Sequence, residues 1–178
     1  MSSNSNSVIS RRRLLALALA WPLAGAAAAV PGNPFSGLKR WGSGELRRFG
    51  LLIYEATLWA EEHPTRPPLA LEITYRRSVS GRRIVEASIA EMRGLNVFDE
   101  IRLERWRGAM IRIFPDVRAG DRLIGLYLSR GAHFYRNEAW IGGVEEPEFA
   151  EAFFSIWLDV RTSAPDLRAA LLRPPNRP

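Results

Sequence analysis

Residues 122–143, RLIGLYLSRGAHFYRNEAWIGG, decide the fold. Arg122 to Leu128 is rich in β-formers, Ser129-Arg130-Gly131 supplies a turn, and Ala132 to Arg136 runs back as a second strand. Asn137-Glu138 is another turn, leading to a short strand at Ala139 to Ile141 closed by Gly142-Gly143. Connections this short join antiparallel neighbours, so the stretch is a meander.

Upstream, Leu69, Leu71, Ile73 and Tyr75 alternate with Glu72, Thr74 and Arg76, the period of a strand with one wet face. Phe49 to Trp59 (FGLLIYEATLW) is apolar on both faces and reads as a central, doubly covered strand, followed by a loop at Pro64 to Pro68. Gly42-Ser43-Gly44 reads as a turn. Ser80 caps a helix whose stripe is Val85, Ile89 and Met92, ending near Gly94 and Asn96. Asp99 starts the next, in which Leu103, Trp106, Met110 and Ile113 keep helical spacing until Pro115.

Downstream, Pro147 opens a helix in EPEFAEAFFSIWLD, with acids in its first turn. Ser163 and Asp166 form a capping-box-like start for a last helix to Leu172. Pro31 to Pro34 is an extended lead-in, and the tail from Pro174 to Pro178 cannot continue a helix. The order predicts an α+β fold, an antiparallel β-sheet with a layer of helices on one face.

The chain of 178 residues is 47% hydrophobic and 25% charged, a balance for one globular domain rather than a disordered or fibrous chain. Absence of cysteine excludes disulfides, thiolate metal sites and cysteine nucleophiles, and two histidines, His63 and His133, are too few for a histidine metal cluster. No metal or cofactor is expected. Met1 to Ser7 is Ser/Asn-rich; Arg11-Arg12-Arg13, an apolar run from Leu14 to Leu23 and Gly25 to Ala29 then read as a secretory signal spanning residues 1–29, cleaved to leave one domain over 30–178. The run is too short and alanine-rich for a stable membrane span. Arginines between a serine and two leucines resemble the twin-arginine export signal, which places the protein in the periplasm. Without the leader the net charge of +6 falls to about +3, and Lys39 is the only lysine.

No nucleophile elbow, zinc-protease helix, phosphate loop or dinucleotide fingerprint is present. Trp106, Trp140 and Trp157 follow apolar stripes as core residues, and the two histidines read as surface or half-buried. Nucleic acid is not an expected partner, because arginines alternate with acids along helix faces. Arg76, Arg77, Arg82 and Arg83 surround Ser80-Gly81 at a helix start, a place suited to an anion.

LLIYEATLWA, VSGRRIVEASIAEM, DVRAGDRLIGLYL, NEAWIGGV and EPEFAEAFFSIWLDVRTSAPDLRAALL, in this order and spacing, resemble the chalcone isomerase family, in particular its exported bacterial members. The resemblance runs from about Leu38 to Leu172. It implies an open-faced sandwich of sheet and helices, whose cleft holds flavonoids in the plant isomerases and fatty acids in non-catalytic relatives. It places Tyr54 where the isomerases carry the ketone-polarising threonine, Ile84 at the catalytic tyrosine, and Glu91 at an asparagine two turns on. A polar helix residue falls near Ile156 or on Ser155, and the catalytic arginine on Arg40, Arg47 or Arg48. Ile84 cannot donate a proton, so the resemblance implies the cleft without the isomerase chemistry.

The expectation is therefore an exported, non-catalytic protein binding a lipophilic molecule such as a fatty acid. Its expected ligand-binding residues are Tyr54, Ile84, Glu91, Arg76, Arg82 and Arg83. The alternatives are an isomerase or lyase using Glu91 and Tyr54 as base and donor, and a periplasmic accessory or interaction protein.

Overall fold

A computed structural model describes residues 32–95 and 98–174. The expected leader, Pro31, Asn96 and the end of the tail lie outside the described residues. Six strands, β1 (Lys39–Arg48), β2 (Leu51–Ala60), β3 (Leu69–Tyr75), β4 (Arg122–Leu128), β5 (Gly131–Arg136) and β6 (Ala139–Val144), form one antiparallel sheet in sequence order. Between β3 and β4 the chain leaves the sheet as α1 (Gly81–Leu95) and α2 (Glu100–Ile113), and after β6 come α3 (Pro147–Leu158) and α4 (Pro165–Leu171). The architecture is α+β, an open sheet with its helices on one face.

The helical excursion is fastened at its base. Val79 and Val117 exchange backbone hydrogen bonds of 3.0 and 2.9 Å, and the Gly81 amide donates to Asp116 Oδ1 at 2.8 Å. Ser80 accepts from the Arg83 amide at 3.3 Å and Asp99 from the Arg102 amide at 2.9 Å, so both helices start where their caps predict. Odd-numbered residues of β3 and β4 face the helices. They join Val85, Ile89, Met92, Trp106, Phe149 and Phe153 in the main core. On the other face Ala70, Ile124 and Tyr135 form a smaller cluster with Trp59 and Leu126, roofed by Phe35 and Leu38.

Several sequence expectations are corrected. β2 is not central: it is second from the edge and only partly buried along its first half. Gly42-Ser43-Gly44 is not a turn but the middle of the edge strand β1. A Cβ at Gly42 would collide with the Leu171 carbonyl oxygen, and one at Gly44 would lie 2.7 Å from Ala170 Cβ, so these glycines let α4 rest on the strand. β6 runs on through both glycines to Val144. Trp140 is 47% exposed on that edge strand rather than in the core. His133 is buried, its Nε2 2.6 Å from Glu145. Ser163 does not cap α4, whose N-cap is Ala164 with no side-chain cap; its hydroxyl is engaged elsewhere.

Candidate functional site

Between α1, the end of α3 and the helix-facing side of β2–β5 lies a cavity of about 340 Å³. Its floor is made by alternate strand residues, Leu71, Ile73 and Tyr75 of β3 and Leu123 of β4, and its far wall by Phe114, Phe134 and Phe153. Every charged lining residue, Arg48, Arg83 and Glu91, stands at the solvent-exposed rim with Ser163. The rim is thus built by the end of β1, one face of α1 and the loop before α4. Ile84, Ala87, Ser88 and Glu91 reach it because three- and four-residue steps share a helix face.

The rim is a connected polar set. Ser163 Oγ donates to Glu91 Oε1 at 2.7 Å and accepts from Arg48 Nη2 at 3.3 Å, and the same guanidinium nitrogen lies 3.6 Å from Glu91 Oε1. The Arg48 side chain remains 52% exposed, which leaves donors free to turn toward a bound anion. Inside the rim Tyr54 Oη accepts from Trp157 Nε1 at 2.9 Å. Tyr54 pairs across the sheet with Tyr75, the rings meeting edge to face at 6.0 Å. Burial, helped by the Glu91 charge against the Trp157 N–H and Arg48, pushes the Tyr54 phenol up to about 12. Burial, with Tyr54 adding, also raises the Tyr75 phenol, whose hydroxyl has no hydrogen-bond partner among the described residues. Both phenols stay neutral donors at ordinary pH.

The profile of the chalcone isomerase-like family matches residues 49–173. The chain belongs to the chalcone isomerase-like family. Its structure is similar to the crystal structure of an Arabidopsis thaliana fatty-acid binding protein. The TM-score is 0.60 and the sequence identity 9%, over 80% of this chain and 90% of that one, a likeness of fold. It is also 26% identical over 132 residues to an uncharacterized protein of Haemophilus influenzae, across 74% of this chain; it spans 63% of that relative's length.

In this chalcone isomerase-like chain, Tyr54, Ile84, Glu91 and Arg83 all line the cavity. Arg76 does not: its Nε and Nη2 clasp both Glu55 oxygens at 3.0 and 2.8 Å, and Glu55 alternates with Tyr54 onto the opposite face of β2. That ion pair holds the Glu55 carboxyl below its ordinary range. Arg82 also stands off the lining, because one residue along α1 turns a side chain by about 100° from Arg83. Of the three arginines upstream of β2, Arg40 bonds Ser43 and Arg47 bonds Glu45, while Arg48 lines the cavity. Ile156 faces the cavity and Ser155 does not.

Sequence reasoning missed Tyr75, Trp157 and Ser163. Tyr75 and Trp157 read as ordinary members of apolar stripes, and no local signal marks a stripe residue that faces a void. Ser163 looked like a helix cap. The Glu91–Tyr54 pairing that acid–base chemistry would use is not formed: Glu91 bonds Ser163, and Tyr54 bonds Trp157. No group of metal-ligating side chains occurs among the described residues.

Proposed function

We propose that the cleft binds a lipophilic carboxylate such as a fatty acid. Its chain lies over Ile73 and Leu123 against the phenylalanine wall, and its head group meets Arg48 and Arg83. The observation that carries this reading is the polarity of the cavity, apolar within and charged only at the rim. Its volume lies in the range of roughly 300–1,000 Å³ usual for small-molecule sites. Burying about a dozen methylenes at about 0.8 kcal/mol each offers roughly 10 kcal/mol, from which association and ordering remove several. Affinities around micromolar are expected. The fold shared with a plant fatty-acid binding protein supports the reading.

The reading is of a binder and not an isomerase. Ile84 has no proton to donate where the family's phenol stands. Following chalcone absorbance with purified protein should show only the spontaneous rate; heat-labile turnover above it would refute this. Calorimetric titration with dodecanoic, hexadecanoic and octadecanoic acids should give saturable heat. Silence with all three, together with a lipid-free native mass spectrum, would remove the fatty-acid reading.

We further propose export to the periplasm by the twin-arginine route, on the strength of Arg11, Arg12 and Arg13 ahead of the apolar run. Replacing all three by lysine should abolish translocation, since the guanidinium and not the charge alone would be read. Unchanged periplasmic yield on cell fractionation would assign the protein to the general secretory route.

A further inference from the structure

Arg48 pairs with Leu51, so Phe49 and Gly50 alone form the loop joining β1 to β2. Both have positive φ, 51° and 76°. A two-residue turn of this hand favours Asn-Gly, and a bulky side chain at its first position is held in a backbone region it ordinarily avoids. Among the described residues no packing of the ring offsets that strain. Phe49 is fully exposed at 103% and Leu51 is 49% exposed, so the ring contributes to no core.

The surroundings are basic. Arg47 and Arg48 precede the tip, and the Arg76 amide donates to the Ile53 carbonyl, which sets Arg76 and Arg77 beside the start of β2. With Arg83 at the rim, five arginines face three nearby carboxylates, Glu45, Glu55 and Glu91. Arg48 is at once the neighbour of Phe49 and part of the cavity lining, so the apolar tip is continuous with the cavity mouth. Trp140, the other exposed aromatic ring among the described residues, sits on β6 at the opposite edge of the sheet. An exposed ring framed by arginines is the arrangement that seats a protein in the headgroup region of an anionic bilayer.

We propose that the β1–β2 tip, through Phe49 and Leu51 with Arg47 and Arg77, docks the protein on an anionic lipid surface. Docking sets the cavity mouth against the bilayer, where a lipophilic molecule passes between membrane and cleft without crossing water. The passage rests on the cavity reading above; the docking does not.

The test is co-sedimentation of the protein with vesicles of phosphatidylglycerol and phosphatidylcholine, and of phosphatidylcholine alone. The wild type should bind the anionic vesicles, less tightly as salt rises. Phe49→Asn should bind them about tenfold or more weakly, the loss of one buried aromatic side chain. This variant keeps its fold, checked by circular dichroism, because Asn-Gly suits the turn. An Arg47→Gln, Arg77→Gln double variant should lose affinity for the anionic vesicles and not for the neutral ones. No sedimentation of the wild type, or equal sedimentation of wild type and Phe49→Asn, overturns the proposal. Phe49→Asn should titrate with hexadecanoic acid as the wild type does. Absence of that heat in both, with vesicle binding intact, would refute the fatty-acid reading and leave the docking standing.

Discussion

Under the first half of α3 the helix–sheet interface is filled with rings, whereas under α1 and the end of α3 the same sheet face looks into an open cavity. In the first region Phe149 touches Trp106, Phe134 and Phe153 at ring separations of 5.7, 6.2 and 5.7 Å, and Phe114 packs edge-on to Phe134 at 4.9 Å. In the second, Ile73, Tyr75 and Leu123 meet empty space, and the helix above offers Ile84, Ala87 and Ser88. The difference is one of side-chain volume: α3 presents phenylalanine and tryptophan, α1 mostly aliphatic and small residues. Stability should therefore reside in the aromatic half and ligand recognition in the open half.

Phe149→Ala tests the first half of that division and carries the largest expected effect. The side chain is fully buried and does not line the cavity, so chemical denaturation should show a loss of about 3–5 kcal/mol. Fatty-acid affinity under native conditions should be unchanged; a parallel loss of affinity would show that the halves are coupled.

Arg48→Met should do the reverse. Removing a charge-assisted contact is expected to lower carboxylate affinity by about 1.5–3 kcal/mol, while the methyl ester of the same acid binds both forms alike. Equal affinity of the acid for variant and wild type would relocate the head group to Arg83.

Alkaline pH strains the open half. The folded Tyr54 phenol titrates near 12 against an ordinary value of 10.0, so its neutral form is favoured by folding. Its contribution is whole below pH 10.0 and is lost as pH rises toward 12, an effect on the order of 2 kcal/mol. Tyr54→Phe should flatten that part of the stability profile in urea titrations. An unchanged slope would mean that the phenol gains water in the folded protein.

The smallest stability change is expected for Ile84→Phe, which grows into space rather than into a packed neighbour. Melting should shift by the equivalent of about 1 kcal/mol or less, and octadecanoic acid should bind more weakly than dodecanoic acid. A large destabilisation would show that the cavity closes in solution.

Much of this fold is written locally. The turn at Ser129–Gly131, the caps Ser80 and Asp99 and the alternation of Leu69, Leu71, Ile73 and Tyr75 each act within a few residues, and each element is found where those signals put it. β1 was illegible for a physical reason. Gly42 and Gly44 look like a turn until α4, more than a hundred residues on, is seen lying across them. The candidate site divides the same way. Tyr54, Ile84 and Glu91 follow from the family's register and Arg83 from the basic cluster at the start of α1, and all four line the cavity, whereas Arg76 of the same cluster lies off it, clasped to Glu55 on the other face of the sheet.

By itself, the sequence determined the order of strands and helices from β2 onward, the family and the lack of a phenol at Ile84, since these follow from residue identity and short-range spacing. Only the tertiary structure decided which of Arg40, Arg47 and Arg48 joins the rim. Arg48 and Glu91 meet through Ser163, 115 and 72 residues away from them along the chain. It also decided that the space beneath α1 stays open while that beneath α3 is filled. Whether an interface closes depends on how far apart the backbones are held, and that distance is set by side chains from every element at once.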